Sequence, residues 1–308
     1  MDNVTDSTNM FYRSNFSKTL VVTKDKTLLE NYNFKSDNTK PIDTPSLNAN
    51  GGSFGDGQKI KSYFEKIAVH PDELQISKFE EFKKSHIPTK ENSIFRRWEE
   101  IPNSKYSDEG ILDILDKTYM AVWKNMVCNT TTDNRKLNTS GNIGFVYIPN
   151  QLNTSQTELY DYGEQIIPFS KEQSLNIGIR DISQSNANWN VTGQLHWNGK
   201  EIPGSYIQVE SNRNSIKKNI NDNINKFDSS KDLVDAEEEV SSIKTNDGYL
   251  KITSNSANKL IESNSNKNHD DIYDYNLGNA SLVIPDTKYV QDGKYSANVD
   301  WNLINAPQ

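Results

Sequence analysis

The chain has 308 residues, enough for one large domain or two of ordinary size with a substantial core. Only 33% of residues are hydrophobic and the mean hydropathy is -0.81, so much of the length is loop, linker or solvated insert, because weakly apolar segments do not offset the entropy lost on ordering. A net charge of -8 argues against nucleic-acid binding, which needs clustered Lys and Arg to neutralise phosphates, and no run approaches the roughly 20 apolar residues of a membrane-spanning helix; cationic partners such as amine-bearing peptides remain admissible.

Residues 1–56 carry a candidate strand at Thr19–Val22 and then a Pro-, Asn- and Gly-bearing run, KPIDTPSLNANGGSFGDG, with the composition of a linker. The opening MDNVTDSTNMFYRSNF lacks a charged region followed by an apolar one, so a secreted form would have its signal trimmed or upstream. Residues 57–128 are expected to be helical. Ile111, Leu112, Ile114, Leu115, Tyr119, Val122, Trp123 and Met126 form a broad apolar face, and Ser107 before Asp108 and Glu109 supplies a cap signal. Shorter helices are predicted at Lys59–Ile67, Pro71–Lys84 and Ser93–Glu99, with Pro71 and Pro88 as breaks. The helical region is either a separate domain or an insert in one long β-domain beginning at Thr19–Val22.

Residues 129–308 turn to short strands between polar turns. Strands are predicted at Gly144–Ile148, Gln165–Phe169, Leu175–Ile179, Ser205–Val209, Tyr249–Ile252 and Leu282–Ile284. Residues 211–242 carry a charged run expected to be a long exposed excursion. Two segments stand out. In Trp189–Trp197, Trp189, Val191, Gly193, Leu195 and Trp197 oppose Asn190, Thr192, Gln194 and His196; in Tyr295–Leu303, Tyr295, Ala297, Val299, Trp301 and Leu303 oppose Ser296, Asn298, Asp300 and Asn302. This two-residue period marks half-buried antiparallel strands sharing a core. The expected class is mainly β with a helical N-terminal region or insert, and an antiparallel β-sandwich or Greek-key barrel in the C-terminal part.

The C-terminal part, roughly residues 140–308, resembles the WxL domain family of Gram-positive cell-surface proteins. GKYSANVDWNLINAP is similar to that family's distal motif: a Gly-x-Tyr entry, an alternating strand, Trp301-x-Leu303 and then Ala306-Pro307. LNIGIRDISQSNANWNV is similar to the proximal motif, with Asp181 and Trp189 in the matching places and Val191 where the family has leucine. The resemblance implies a secreted protein at the cell wall, attached non-covalently to peptidoglycan or an associated wall polymer, often with other cell-surface proteins.

The i±2 neighbours of Trp189 and Trp301 favour core packing over ligand stacking. Wall contact is therefore expected from loop-borne aromatics: Tyr160 and Tyr162 in ELYDYGEQ, and Tyr273 and Tyr275 in DIYDYN. Their rings can meet sugar C–H faces, while nearby Asp and Asn take hydroxyls or stem-peptide amines. Ordinary half-buried tyrosines near strand ends are the bland alternative. His70, His86, His196 and His269 lack metal-ligand spacing, and no nucleophile elbow, P-loop or dinucleotide fingerprint occurs, so no metal, cofactor or catalytic residue is assigned. Cys128, the only cysteine, allows no intrachain disulfide and fits an inert buried thiol. Two rival functions stay open. One is a wall- or carbohydrate-modifying enzyme using acids such as Glu80, Glu81 or Glu99, and the other a scaffold that binds another surface protein.

Overall fold

The computed structural model describes residues 22–23, 42–63, 76–102, 117–170, 174–185, 187–211, 215–236, 243–245, 248–263 and 268–306. The chain divides into two compact units, Met1–Lys124 and Asn125–Gln308.

In the first unit, β1 (Val22–Thr23) and β2 (Ile42–Asp43) form a parallel pair. A four-stranded sheet follows from β3 (Ser46–Asn48), β4 (Ile60–Ser62), β5 (Ser93–Pro102) and β6 (Lys117–Asn125), in the order β4-β3-β6-β5. Helix α1 (Ile76–Ser85) sets Phe79 against Tyr119, with ring centroids 5.0 Å apart. Leu47, Phe79, Tyr119 and Ala121 are buried together in this unit.

The helical expectation for this region is corrected at three places. Ser93–Glu99 lies in β5, Tyr119, Val122 and Trp123 lie in β6, and Ile60–Ser62 within the predicted Lys59–Ile67 helix is β4. The uninterrupted apolar run Tyr119–Trp123 satisfies a period of 3.6 as readily as one of 2, and its aromatic and β-branched residues tip it to strand once β3 pairs alongside, with Leu47 opposite Tyr119. The prediction at Pro71–Lys84 coincides with α1 from Ile76 onward. Ile111–Leu115, Thr19–Val21 and the remaining ends of these segments lie outside the described residues.

The second unit is antiparallel β throughout its described pairings. Its strands are β7 (Asn134–Lys136), β8 (Ile143–Pro149), β9 (Gln165–Pro168), β10 (Asn176–Asp181), β11 (Asn188–Trp197), β12 (Tyr206–Ser211), β13 (Ile216–Asn219), β14 (Leu233–Asp235), β15 (Ile243–Thr245), β16 (Gly248–Thr253), β17 (Asn258–Ser263), β18 (Asp271–Asn276), β19 (Ser281–Ile284) and β20 (Ala297–Ala306), with a one-turn helix α2 (Ser229–Asp232) before β14. They form three sheets, β14-β13-β18-β10-β8-β7, β15-β17-β11-β20 and β16-β12-β19-β9, and none closes into a barrel. The two tryptophan strands pair directly. Val191 faces Leu303, Gly193 faces Trp301 and Leu195 faces Val299, so both alternating patterns turn one face to a common core. A Cβ on Gly193 would lie 3.2 Å from the Trp301 ring, so the bare glycine is what lets the indole lie across β11.

The segment 211–242 is not a plain exposed excursion. Its β13 and β14 extend the six-stranded sheet, and Ile216, Asn219, Asn221 and Ala236 are buried. Polar side chains there meet one another rather than water, as where the Asn221 amide donates to Asp232 Oδ2 at 2.8 Å.

Candidate functional site

Three of the exposed tyrosines of the second unit, Tyr160, Tyr162 and Tyr289, gather on two loops, while a fourth, Tyr249, stands on β16. Gln165 opens β9 with its side chain buried; Nε2 donates to the carbonyl of Glu158 at 2.9 Å, and Oε1 accepts from the Tyr160 amide at 3.0 Å. One amide thus pins both sides of the loop before β9. Gly163 takes φ +89°, a conformation L side chains rarely adopt, and hands the loop to the next latch. Its N–H donates to Asp286 Oδ1 at 3.1 Å, and its carbonyl accepts from the Thr287 amide at 3.0 Å. Asp286 also caps the short 3-10 turn Thr287–Tyr289 by accepting from the Lys288 amide. Underneath, Leu159 and Val290 pack on a small core of Ile167, Ile202 and Ile284.

With both loops anchored in this way, Tyr160, Tyr162 and Tyr289 face solvent at 61%, 78% and 66% relative exposure. Glu158, Asp161, Glu164 and Lys288 are exposed among them. Flat rings on a backbone held by partly buried hydrogen bonds can stack on sugar C–H faces at little entropic cost, and the carboxylates can accept hydrogen bonds from hydroxyls or ammonium groups.

Tyr273 and Tyr275 correct the expectation for DIYDYN. Both have 0% exposure, in β18 rather than a loop, and neither can touch a polymer from there. The Tyr275 hydroxyl donates to Ser211 Oγ at 2.8 Å, and Tyr273 meets the His269 ring edge-on. The stretch imitates a loop because β18 ends on partly or fully exposed Asp271 and Asn276 and buries Asp274 in hydrogen bonds between two buried tyrosines.

Asp181 and Trp189 belong to a second, fully buried cluster. The Trp189 indole N–H donates to Asp181 Oδ2 at 2.8 Å, His269 Nδ1 lies 3.1 Å from the same oxygen, and the Ser183 hydroxyl donates to Oδ1 at 2.7 Å. Burial pushes the Asp181 carboxyl up, but these bonds outweigh it and hold it below the ordinary carboxylate value. Ser263 Oγ also approaches His269, at 3.4 Å. The set is not a hydrolase triad, because serine and aspartate both meet Nδ1 of the imidazole, whereas nucleophile and orienting acid need opposite ring nitrogens. It ties the end of β10 to the start of β11 and to the chain before β18. Val191, Trp301 and Leu303 contribute to the core through β11 and β20.

A third buried cluster centres on Asp274. Its carboxylate accepts from the Tyr147 hydroxyl at 2.6 Å and from the Asn176 amide at 2.5 Å. Cys128 packs on Tyr147 and is buried, which pushes its thiol well up and leaves it unreactive. Among the remaining candidates, Glu80 pairs with Lys83, and Glu81 and Glu99 are exposed. Among the described residues no group of three or more His, Cys, Asp or Glu could hold a metal ion.

Residue reasoning from the sequence missed Tyr289, Gln165 and Asp286. Asp286 followed by Thr287 was a readable cap signal, whereas the pairing of the two loops comes only from the β9–β19 ladder that sets them side by side. No family model, no curated protein and no solved structure matches the chain.

Proposed function

We propose that the second unit is a WxL-like module, a β-sandwich in its layering, that attaches non-covalently to peptidoglycan or an associated wall polymer of a Gram-positive cell. On this reading the chain is a secreted surface-display or surface-complex component that binds rather than catalyses. The observation that carries the proposal is the presentation of Tyr160, Tyr162 and Tyr289 on two loops hydrogen-bonded to each other over buried anchors. Rings that are neither packed nor free to collapse suit an extended, hydroxyl-rich ligand. The bond from Trp189 to Asp181 supports the resemblance, since it gives the aspartate before the tryptophan strand a physical task in forming the fold.

The test is sedimentation of the full chain with protein-free peptidoglycan. Binding should fall at least severalfold in a Tyr160→Ala/Tyr162→Ala/Tyr289→Ala variant whose melting temperature is unchanged. Full retention by that variant would remove the tyrosine patch from the proposal, and no binding by the unaltered chain would remove the proposal itself.

A further inference from the structure

We propose that two copies of this chain join edge to edge through β20, running antiparallel about a two-fold axis at Trp301. The proposal is independent of wall binding. It rests on how differently this unit treats its sheet edges.

Five of the six edges in the second unit are short or blunted. β7, β14 and β15 have three residues each, β9 has four and ends in Pro168, and β16 has six and carries Lys251. Such features keep an edge from templating another strand. β20 has none of them. It runs for ten residues, ANVDWNLINA, without lysine or proline, and pairs with β11 without a register shift. Among the described residues its backbone pairs with β11 alone, so every second residue turns N–H and C=O outward unpaired.

The sequence of β20 is complementary to itself in one register. Directly opposed residues of an antiparallel pair share a face, so the apolar set Val299, Trp301 and Leu303 must meet its own kind. Centring the axis on Asp300 would set two carboxylates face to face. Centring it on Asn302 would set Asp300 against Ile304. Centring it on Trp301 places Asp300 opposite Asn302 of the second copy, Val299 opposite Leu303 and Asn298 opposite Ile304, with Trp301 meeting Trp301. In that register the Asn302 amide can donate to the Asp300 carboxylate twice per dimer. Val299, Trp301 and Leu303 pack on the core yet remain half-buried, and Asn298, Asp300, Asn302 and Ile304 are exposed, so the strand has surface left to bury. The pair would join two four-stranded sheets into one of eight.

Analytical ultracentrifugation of the full chain across the micromolar range reads the association directly. A mass doubling with concentration is expected. Asn302→Asp sets carboxylates opposite Asp300 at both symmetric positions and should weaken the dimer roughly five- to tenfold. Adding Asp300→Asn to it restores one acid against one amide and should recover the dimer; both side chains are exposed in the single copy, where Asp300 also lies 3.3 Å from His196 Nε2, so each change should move the melting temperature only slightly. Mixed Asp300→Cys and Asn302→Cys chains should form a disulfide across the axis that neither forms alone, since only facing positions bring Cα atoms within bonding range. A monomer at all concentrations overturns the proposal. So does a dimer that is indifferent to Asn302→Asp and forms no mixed disulfide, because it would use another surface.

Discussion

Asp274 gives the second unit an unusual pH response. Its carboxyl is buried under β8, β10 and β13, where desolvation pushes its pKa from the ordinary 3.8 up to about 6, against the hydrogen bonds from Tyr147 and Asn176 and the charge of Lys217. The neighbouring Tyr147 hydroxyl and Cys128 thiol are pushed further from neutrality and stay protonated throughout the relevant range. A folded-state pKa above the unfolded one means the folded state binds the proton more tightly. The group therefore favours folding most at low pH and loses that contribution as pH rises from about 4 through about 6. The gap between 3.8 and about 6 corresponds to roughly 3 kcal/mol, lost by pH 7. Asp274→Asn removes the titration. At pH 7 it relieves the buried charge but leaves one of the two donors without an acceptor, at a cost of about 1–3 kcal/mol, so the two effects should nearly cancel. Denaturant unfolding of both proteins from pH 4 to 8 checks this, because the difference between them isolates Asp274 from every other titrating group. That difference should swing by roughly 3 kcal/mol, with the unaltered chain ahead at low pH. A flat difference would mean that the carboxyl is solvated or already paired as an anion, and the account of β18 as a strand of buried polar contacts would fail.

Three further outcomes follow from the geometry. Trp189→Phe keeps an aromatic ring but loses part of the buried indole and its donor to a buried carboxylate, and should cost at least about 1.5–3 kcal/mol in unfolding experiments; because Asp181 sits below its ordinary pKa, its contribution is present at neutral pH and fades as pH falls through that lowered value, so the variant's deficit should shrink in acid. Gly178→Ala would place a methyl 2.5 Å from the Tyr147 ring, which is fully buried and cannot swing aside, so a clear fall in melting temperature is expected, with a loss at or above the usual 1–3 kcal/mol for overpacking. Gln165→Ala should speed hydrogen exchange at residues 158–164 and weaken polymer binding, while Tyr162→Ala changes stability by less than about 0.5 kcal/mol.

The parts of this fold written in side-chain alternation were readable from the residues. β11 and β20 each bury one face, so a two-residue period survives in the sequence and a shared core could be anticipated from the two tryptophan-bearing patterns, whereas their direct pairing in one sheet could not. β18 and β13 were not readable, because Asp274 in DIYDYN and Asn219 in IKKN turn polar side chains inward, and only their partners Tyr147 and Asn176 make that burial tolerable. Those partners come from strands far off in the chain. β6 failed for the opposite reason: its unbroken apolar run has no period to read. Among the candidate contacts, Tyr160 and Tyr162 lie beside Gly163, whose left-handed backbone marks a turn, whereas Tyr273 and Tyr275 share the Tyr-Asp-Tyr spelling without a glycine directly after it, the turn coming only at Gly278.

Asn198 and Asn298, hydrogen-bonded to each other across 100 residues of chain, mark where β11 and β20 come together. A growing polypeptide that has emerged as far as β19 still has Trp189, Val191 and Leu195 on a strand missing one neighbour. Closure of that sheet must wait on the arrival of Ala297–Ala306, and contacts of such sequence separation form slowly. Until then the ribbon around Trp189 is the natural place for a chaperone to hold or a protease to cut.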